Sequence, residues 1–155
     1  MRDDIYNANV VTQQVLIDPA ELKSKLPLTG QALTTLRASR QDIQNILDRV
    51  DDRLMLVVGP CSIHDPIAAL DYAKRLRDLS RKVDDKIFII MRVYFEKPRT
   101  TTGWKGLIND PYLNDSFNIS EGLEISRQLL LQILDLGVPT ATEALDPISP
   151  QYLHD

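Results

Sequence analysis

Three short strand-like runs separated by amphipathic stretches constrain this chain more than any other feature. Leu54-Met55-Leu56-Val57-Val58 and Ile87-Phe88-Ile89-Ile90-Met91 are apolar at every position, and Thr140-Ala141-Thr142-Glu143 is a shorter third run. Apolar strands without inside–outside alternation suit a parallel sheet covered by helices. The intervening segments read as those helices. Asp65-Pro66 supplies a cap and a first helical residue ahead of Leu70, Ala73, Leu76 and Leu79. A second helix runs from about Ser120 through Leu123, Leu130 and Ile133 to a stop at Gly137-Val138-Pro139, and Ser149-Pro150 opens another. The fold class is therefore α/β with parallel strands.

The first third of the chain does not share this alternation. Residues 1 to 17 lack a clear period, and Val15-Leu16-Ile17 reads as an arm strand. Asp18-Pro19-Ala20-Glu21 then looks like a helix start. A longer helix is expected after Thr29-Gly30, with Leu33, Leu36, Ile43, Ile46, Leu47 and Val50 on its apolar face. Residues 1–53 thus form an arm and helical extension, and 54–155 hold three strand-helix units. Three units cannot close an eight-unit barrel, which takes roughly 250 residues. The chain is expected to be the N-terminal piece of a longer protein.

The 155 residues carry 18 basic and 22 acidic side chains, a net charge of −4, which gives no reason to expect a nucleic-acid or anionic-membrane partner. One cysteine, Cys61, rules out an internal disulfide and fits a reducing cytoplasm. No run reaches membrane-spanning length, and the start Met1-Arg2-Asp3-Asp4 does not suit a signal peptide.

In parallel α/β architectures the chemistry gathers at the carboxyl ends of strands. Here the first strand delivers Gly59-Pro60-Cys61-Ser62-Ile63-His64, the second delivers Arg92 and the loop Glu96-Lys97-Pro98-Arg99-Thr100-Thr101-Thr102-Gly103, and the third delivers Glu143. Lys offers a point charge, Arg a planar fork and Thr a hydroxyl, a set suited to phosphate or carboxylate oxygens, while Pro98 stiffens the loop. Each residue also has a plainer reading. Cys61 can be a small packed side chain, Arg92 and Glu143 can pair with each other, His64 suits a structural role, Trp104 can pack under the loop, and His154 can lie on a helix surface.

The motifs Gly59-Pro60-Cys61-Ser62-Ile63-His64-Asp65, residues 91 to 101, Gly103-Trp104-Lys105-Gly106-Leu107-Ile108-Asn109-Asp110-Pro111 and Ser149-Pro150-Gln151-Tyr152-Leu153 closely resemble 3-deoxy-D-arabino-heptulosonate-7-phosphate (DAHP) synthase of the bacterial and fungal type. That resemblance implies a (β/α)8 TIM barrel with an N-terminal extension, of which about the first three βα units are present. It implies condensation of phosphoenolpyruvate with erythrose 4-phosphate, the first step of aromatic amino-acid synthesis. It also implies a divalent metal (Mn, Fe, Co or Zn) that polarises the aldehyde.

Position by position, Cys61 matches a metal ligand, and Arg92 and Lys97 match phosphoenolpyruvate-binding and catalytic positions. Lys97, Pro98, Arg99 and Thr100 match the erythrose 4-phosphate loop, and Glu143 matches a rim carboxylate near the substrate. Asn7, Pro147, Pro150 and Gln151 match effector positions, and Ala144-Leu145-Asp146-Pro147 resembles the tyrosine-sensitive form. A homo-oligomer, dimer or tetramer, is implied as well. The family's other metal ligands, a His, a Glu and an Asp, would lie beyond Asp155, so this piece alone is expected to be inactive. Two other readings compete: a non-catalytic regulatory or assembly module, and a Schiff-base aldolase with Lys97 as nucleophile.

Overall fold

The computed structural model describes residues 15–98 and 102–155. Two helices, α1 (Pro19–Lys25) and α2 (Gly30–Leu47), precede β1 (Leu54–Val58), α3 (Pro66–Val83), β2 (Ile87–Arg92), α4 (Ile119–Asp135), β3 (Thr140–Ala141) and α5 (Ser149–Leu153). The helix starts follow from local hydrogen bonding. Asp18 accepts from the Ala20 amide at 2.8 Å, Thr29 from Ala32 at 3.1 Å, and Asp65 from Ile67 and Ala68 at 2.8 and 3.2 Å. Pro stands in the first turn after Asp18 and Asp65, where its missing N–H costs nothing. At the far end of α4 the Val138 amide reaches Ile133 O and the Gly137 amide reaches Leu134 O, with Gly137 at φ +82°, a paired closure that a left-handed glycine permits.

The three strands form one parallel sheet in the order β1-β2-β3, with Leu54 opposite Ile87 and Arg92 opposite Ala141. The central strand carries the core. Phe88, Ile89, Ile90 and Met91 are buried, and the alternation resumes beyond them: Met91, Val93 and Phe95 are at most 2% exposed, while Arg92, Tyr94 and Glu96 are half-buried. Side chains from α3 (Ala69, Ala73, Leu76) and α4 (Leu123, Leu129, Leu130, Ile133) close over the sheet.

Several expectations are corrected. No strand spans residues 15–17; Val15 is exposed, and Ile17 instead packs on the core, its carbonyl accepting from the Tyr152 hydroxyl at 2.7 Å. On α2 the buried positions are Ala32, Thr35 and Ser39, whereas Leu47 and Val50 are exposed, because α2 meets α4 through small residues. Leu79 of α3 is likewise exposed. The third strand has two residues rather than four. On β1, Leu54, Leu56 and Val57 are between 40% and 65% exposed.

Two arginines that the sequence pattern did not single out hold elements together. Arg127 of α4, 1% exposed, donates Nε to Leu26 O (2.8 Å), Nη1 to Tyr152 O (3.1 Å) and Nη2 to the Asp155 carboxylate, joining α1, α4 and α5. Arg53 pairs with Asp51, Asp42 and Asp84 and lies over the Phe88 ring, pinning the start of β1 to the end of α3. The Asp51 hydrogen bonds are the main reason its guanidinium is held in the charged form more firmly than usual.

Candidate active site at the strand ends

The loop after β1 is pulled onto the end of β2 by a glycine and an isoleucine. A Cβ on Gly59 would lie 2.4 Å from Arg92 O, so only glycine permits this approach. Ile63, 2% exposed, anchors the far side of the loop, and its amide donates to Tyr94 O at 2.8 Å. Between these two fixed points Cys61 is exposed at the rim, and its sulfur accepts from Lys97 Nζ at 2.9 Å. Arg92 Nη2 donates to Cys61 O at 3.2 Å.

The Arg92 guanidinium stacks over the Tyr94 ring, 3.8 Å from its centroid. Its Nε is buried and has no hydrogen-bond acceptor among the described residues. Buried donors are nearly always satisfied, so a guanidinium N–H held open at a strand end suits an anion. No ion pair joins Arg92 to Glu143 among the described residues, which removes the plainer reading of both. Glu143 is exposed beside Thr142, at the same end of the sheet.

The loop carrying Lys97 is tied at its base. The Lys97 amide donates to Lys105 O at 2.9 Å and the Ile108 amide to Phe95 O at 3.3 Å. Gly106, at φ +111°, lies so close that a Cβ would sit 2.2 Å from Phe95 O and 2.6 Å from Glu96 Cα. Trp104 sits half-buried against the core with its indole N–H on Asp110 O at 2.8 Å, in agreement with the packing alternative. Pro98 is exposed; Arg99 and Thr100 lie outside the described residues, as does Asn7.

Pro147 and Gln151 are exposed and Pro150 half-buried at the start of α5, with Gln151 Nε2 donating to Pro147 O at 2.9 Å. Asp146, three residues before the first residue of this helix, ties the turn that leads into it, accepting from the Ile148 and Ser149 amides and the Ser149 hydroxyl. Burial pushes the Asp146 carboxyl up, but those three hydrogen bonds outweigh it and hold it below its ordinary value. Glu96 moves the opposite way. Burial raises its pKa, and the Asp146 charge adds to the rise against partial compensation from Ser149 and Asn109. His64 is exposed in the cleft beside Asp65, and His154, which ends α5, contacts Arg40 rather than the rim.

Sequence reasoning missed Tyr94 and Glu96. Both were findable, since an extended strand places residues 92, 94 and 96 on one face.

A family model described as the DAHP synthetase I family matches residues 27–155. The chain belongs to this family. It is 51% identical over 154 residues to the tyrosine-sensitive phospho-2-dehydro-3-deoxyheptonate aldolase of Escherichia coli K12, covering 99% of this chain and 43% of that protein. Against the phenylalanine-sensitive aldolase of the same bacterium the identity is 56% over 140 residues, 90% of this chain and 40% of that protein. The solved structure of phospho-2-dehydro-3-deoxyheptonate aldolase from Francisella tularensis superposes with a TM-score of 0.89 at 52% identity, covering 93% of this chain and 42% of that one. The chain thus spans about two fifths of the length of these relatives.

The donors present fit only one corner of a metal centre. Cys61 offers a soft sulfur, and no group of three or more His, Cys, Asp or Glu side chains able to hold a metal occurs among the described residues.

Proposed function

We propose that this chain is the N-terminal part of a metal-dependent DAHP synthase that joins phosphoenolpyruvate to erythrose 4-phosphate, releasing phosphate. The observation that carries the reading is the contact set of Cys61, Arg92 and Lys97 at the carboxyl ends of two parallel strands, with Arg92 Nε buried and without an acceptor among the described residues. Family membership and the likeness to aldolases of that name support it.

In this reading Arg92 and Lys97 grip the carboxylate and phosphate of phosphoenolpyruvate, and Arg92 is oriented by Cys61 O and the Tyr94 ring. Lys97, Pro98, Arg99 and Thr100 bind the second phosphate, and Glu143 faces the substrates from β3. Cys61 would be one ligand of a divalent metal whose contribution, when bound, is Lewis-acid polarisation of the aldehyde; the other ligands would lie beyond Asp155. Residues 1–53 form an extension and 54–155 the first part of a (β/α)8 barrel, in a cytoplasmic homo-oligomer regulated by an aromatic amino acid. The names of the two bacterial relatives support that effector class, and Ala144-Leu145-Asp146-Pro147 favours tyrosine.

The test is steady-state turnover in the complete enzyme. Lys97→Ala should lower kcat/KM by about a hundredfold or more, the cost of about 3 kcal/mol of charge-assisted contact. Lys105→Ala should change it by less than about threefold, because the exposed Lys105 contributes its carbonyl to the loop base. Equal, mild effects would show the loop to be merely solvated. Borohydride trapping with phosphoenolpyruvate and erythrose 4-phosphate should give no adduct; a trapped imine on Lys97 would favour the Schiff-base reading.

A further inference from the structure

Trp104 and Lys105 form the leg by which the loop after Lys97 returns to the core. A glycine in the left-handed region stands on each side of that leg, Gly103 at φ +92° and Gly106 at φ +111°, so the backbone on its own would leave it free to turn. The leg is nonetheless aimed: Lys105 O accepts from the Lys97 amide at 2.9 Å and from Asn109 Nδ2 at 3.3 Å. The half-buried Trp104 ring packs on the core, and its indole N–H donates to Asp110 O at 2.8 Å. That acceptor is fixed. Asp110 is 3% exposed, its amide donates to Gly106 O at 3.0 Å, and its carboxylate accepts from the Asn114 and Asp115 amides at 3.4 and 3.2 Å. Between Gly106 and Asp110, Leu107 and Ile108 are at most 2% exposed, and a Cβ on Gly122 of α4 would lie 2.2 Å from Ile108 O. Residues 106–110 are thus seated on α4, and the indole ties the returning leg to them.

We propose that Trp104 is a positioning residue for Lys97: its indole N–H, latched on the buried Asp110 carbonyl, holds the leg at the setting where Lys105 O receives the Lys97 amide. Lys97 Nζ then stays at the rim, 2.9 Å from Cys61 Sγ. Trp104 itself need touch no substrate. The catalytic consequence rests on the synthase reading; the seating of Lys97 does not.

Hydrogen exchange of backbone amides in the complete enzyme, resolved residue by residue by mass spectrometry, reads the seat directly. The Lys97 amide is held by Lys105 O, and Pro98 after it has no amide proton to confuse the signal. Trp104→Phe keeps an aromatic ring under the loop and removes the donor. It should speed Lys97 exchange about tenfold and leave the amides of β2 within about twofold of parental. Asp110→Ala keeps the Trp104 ring and loosens the turn that carries the acceptor, so it should speed Lys97 exchange by at least about threefold. Asp110→Asn, whose side-chain oxygen can still accept from both amides, should stay near the parental rate.

A parental Lys97 rate in Trp104→Phe would overturn the proposal. So would a rate raised in that variant but not in Asp110→Ala, which would assign the effect to ring packing, or one raised equally along β2, which would assign it to lost stability. A raised rate in Asp110→Asn would overturn it too, by assigning the effect to the buried charge. In steady-state turnover Trp104→Phe should raise KM for phosphoenolpyruvate about fivefold with kcat within about threefold, and Asp110→Asn should keep the parental KM. An unchanged KM beside faster Lys97 exchange would overturn the catalytic consequence. A parent without turnover would refute the synthase reading and leave the exchange result standing.

Discussion

At the scale of single residues, Cys61, Arg92 and Lys97 were legible because they end strands or lie in a dense cationic loop, and the structure brings all three into contact. Glu96 was not, because its half-burial depends on segments distant in sequence, among them Thr142 and Glu143, which line the same small cavity. Its raised pKa has a signed consequence. A carboxyl raised on folding stabilises the fold below its ordinary value, 4.5 here, and that contribution fades as the pH rises through the higher folded value. The stability of Glu96→Gln relative to the parent should therefore increase between about pH 4 and 7. Urea denaturation across that range checks this, and a difference that is flat or falls with pH would contradict it.

Among the elements, those with local signals were read correctly. The caps Asp18, Thr29 and Asp65 and the glycine stop at Gly137 need only neighbours within a few residues. Faces were harder to read, because burial is decided by the partner element. On α2 the contact with α4 selects Ala32, Thr35 and Ser39 over larger apolar residues. The short β3 was overread because only Thr140 and Ala141 find ladder partners, in Met91 and Arg92. Arg127 had no sequence signature, since its partners are the backbone of α1 and α5 and the Asp155 carboxylate. Arg127→Met should destabilise the chain by about 2–4 kcal/mol, because two buried carbonyls lose their donors and Asp155 its partner. The urea midpoint measures it, and a change under about 0.5 kcal/mol would show the clasp to be dispensable.

For the whole molecule, Leu54, Leu56 and Val57 on β1 stay between 40% and 65% exposed, and the chain matches 43% or less of the larger relatives. At this scale the α/β class was legible and the burial of β1 was not, since that depends on what packs against it. Effector control belongs here too. Pro147 lies between Glu143 and α5, and Gln151 holds its carbonyl. In the complete enzyme tyrosine should inhibit, and Pro147→Leu should raise the half-inhibitory concentration by about tenfold or more, an amount typical of a lost coupling free energy. Sensitivity to phenylalanine alone, or an unchanged tyrosine response, would refute that assignment. The most direct measurement is DAHP formation from phosphoenolpyruvate and erythrose 4-phosphate by the complete enzyme, with divalent metal supplied or chelated, in the parent and in Cys61→Ala. Metal-dependent turnover in the parent is expected, with Cys61→Ala folded but weaker in metal binding and at least about a hundredfold slower; a parent that makes no DAHP, or a variant with full metal content and parental turnover, would contradict it.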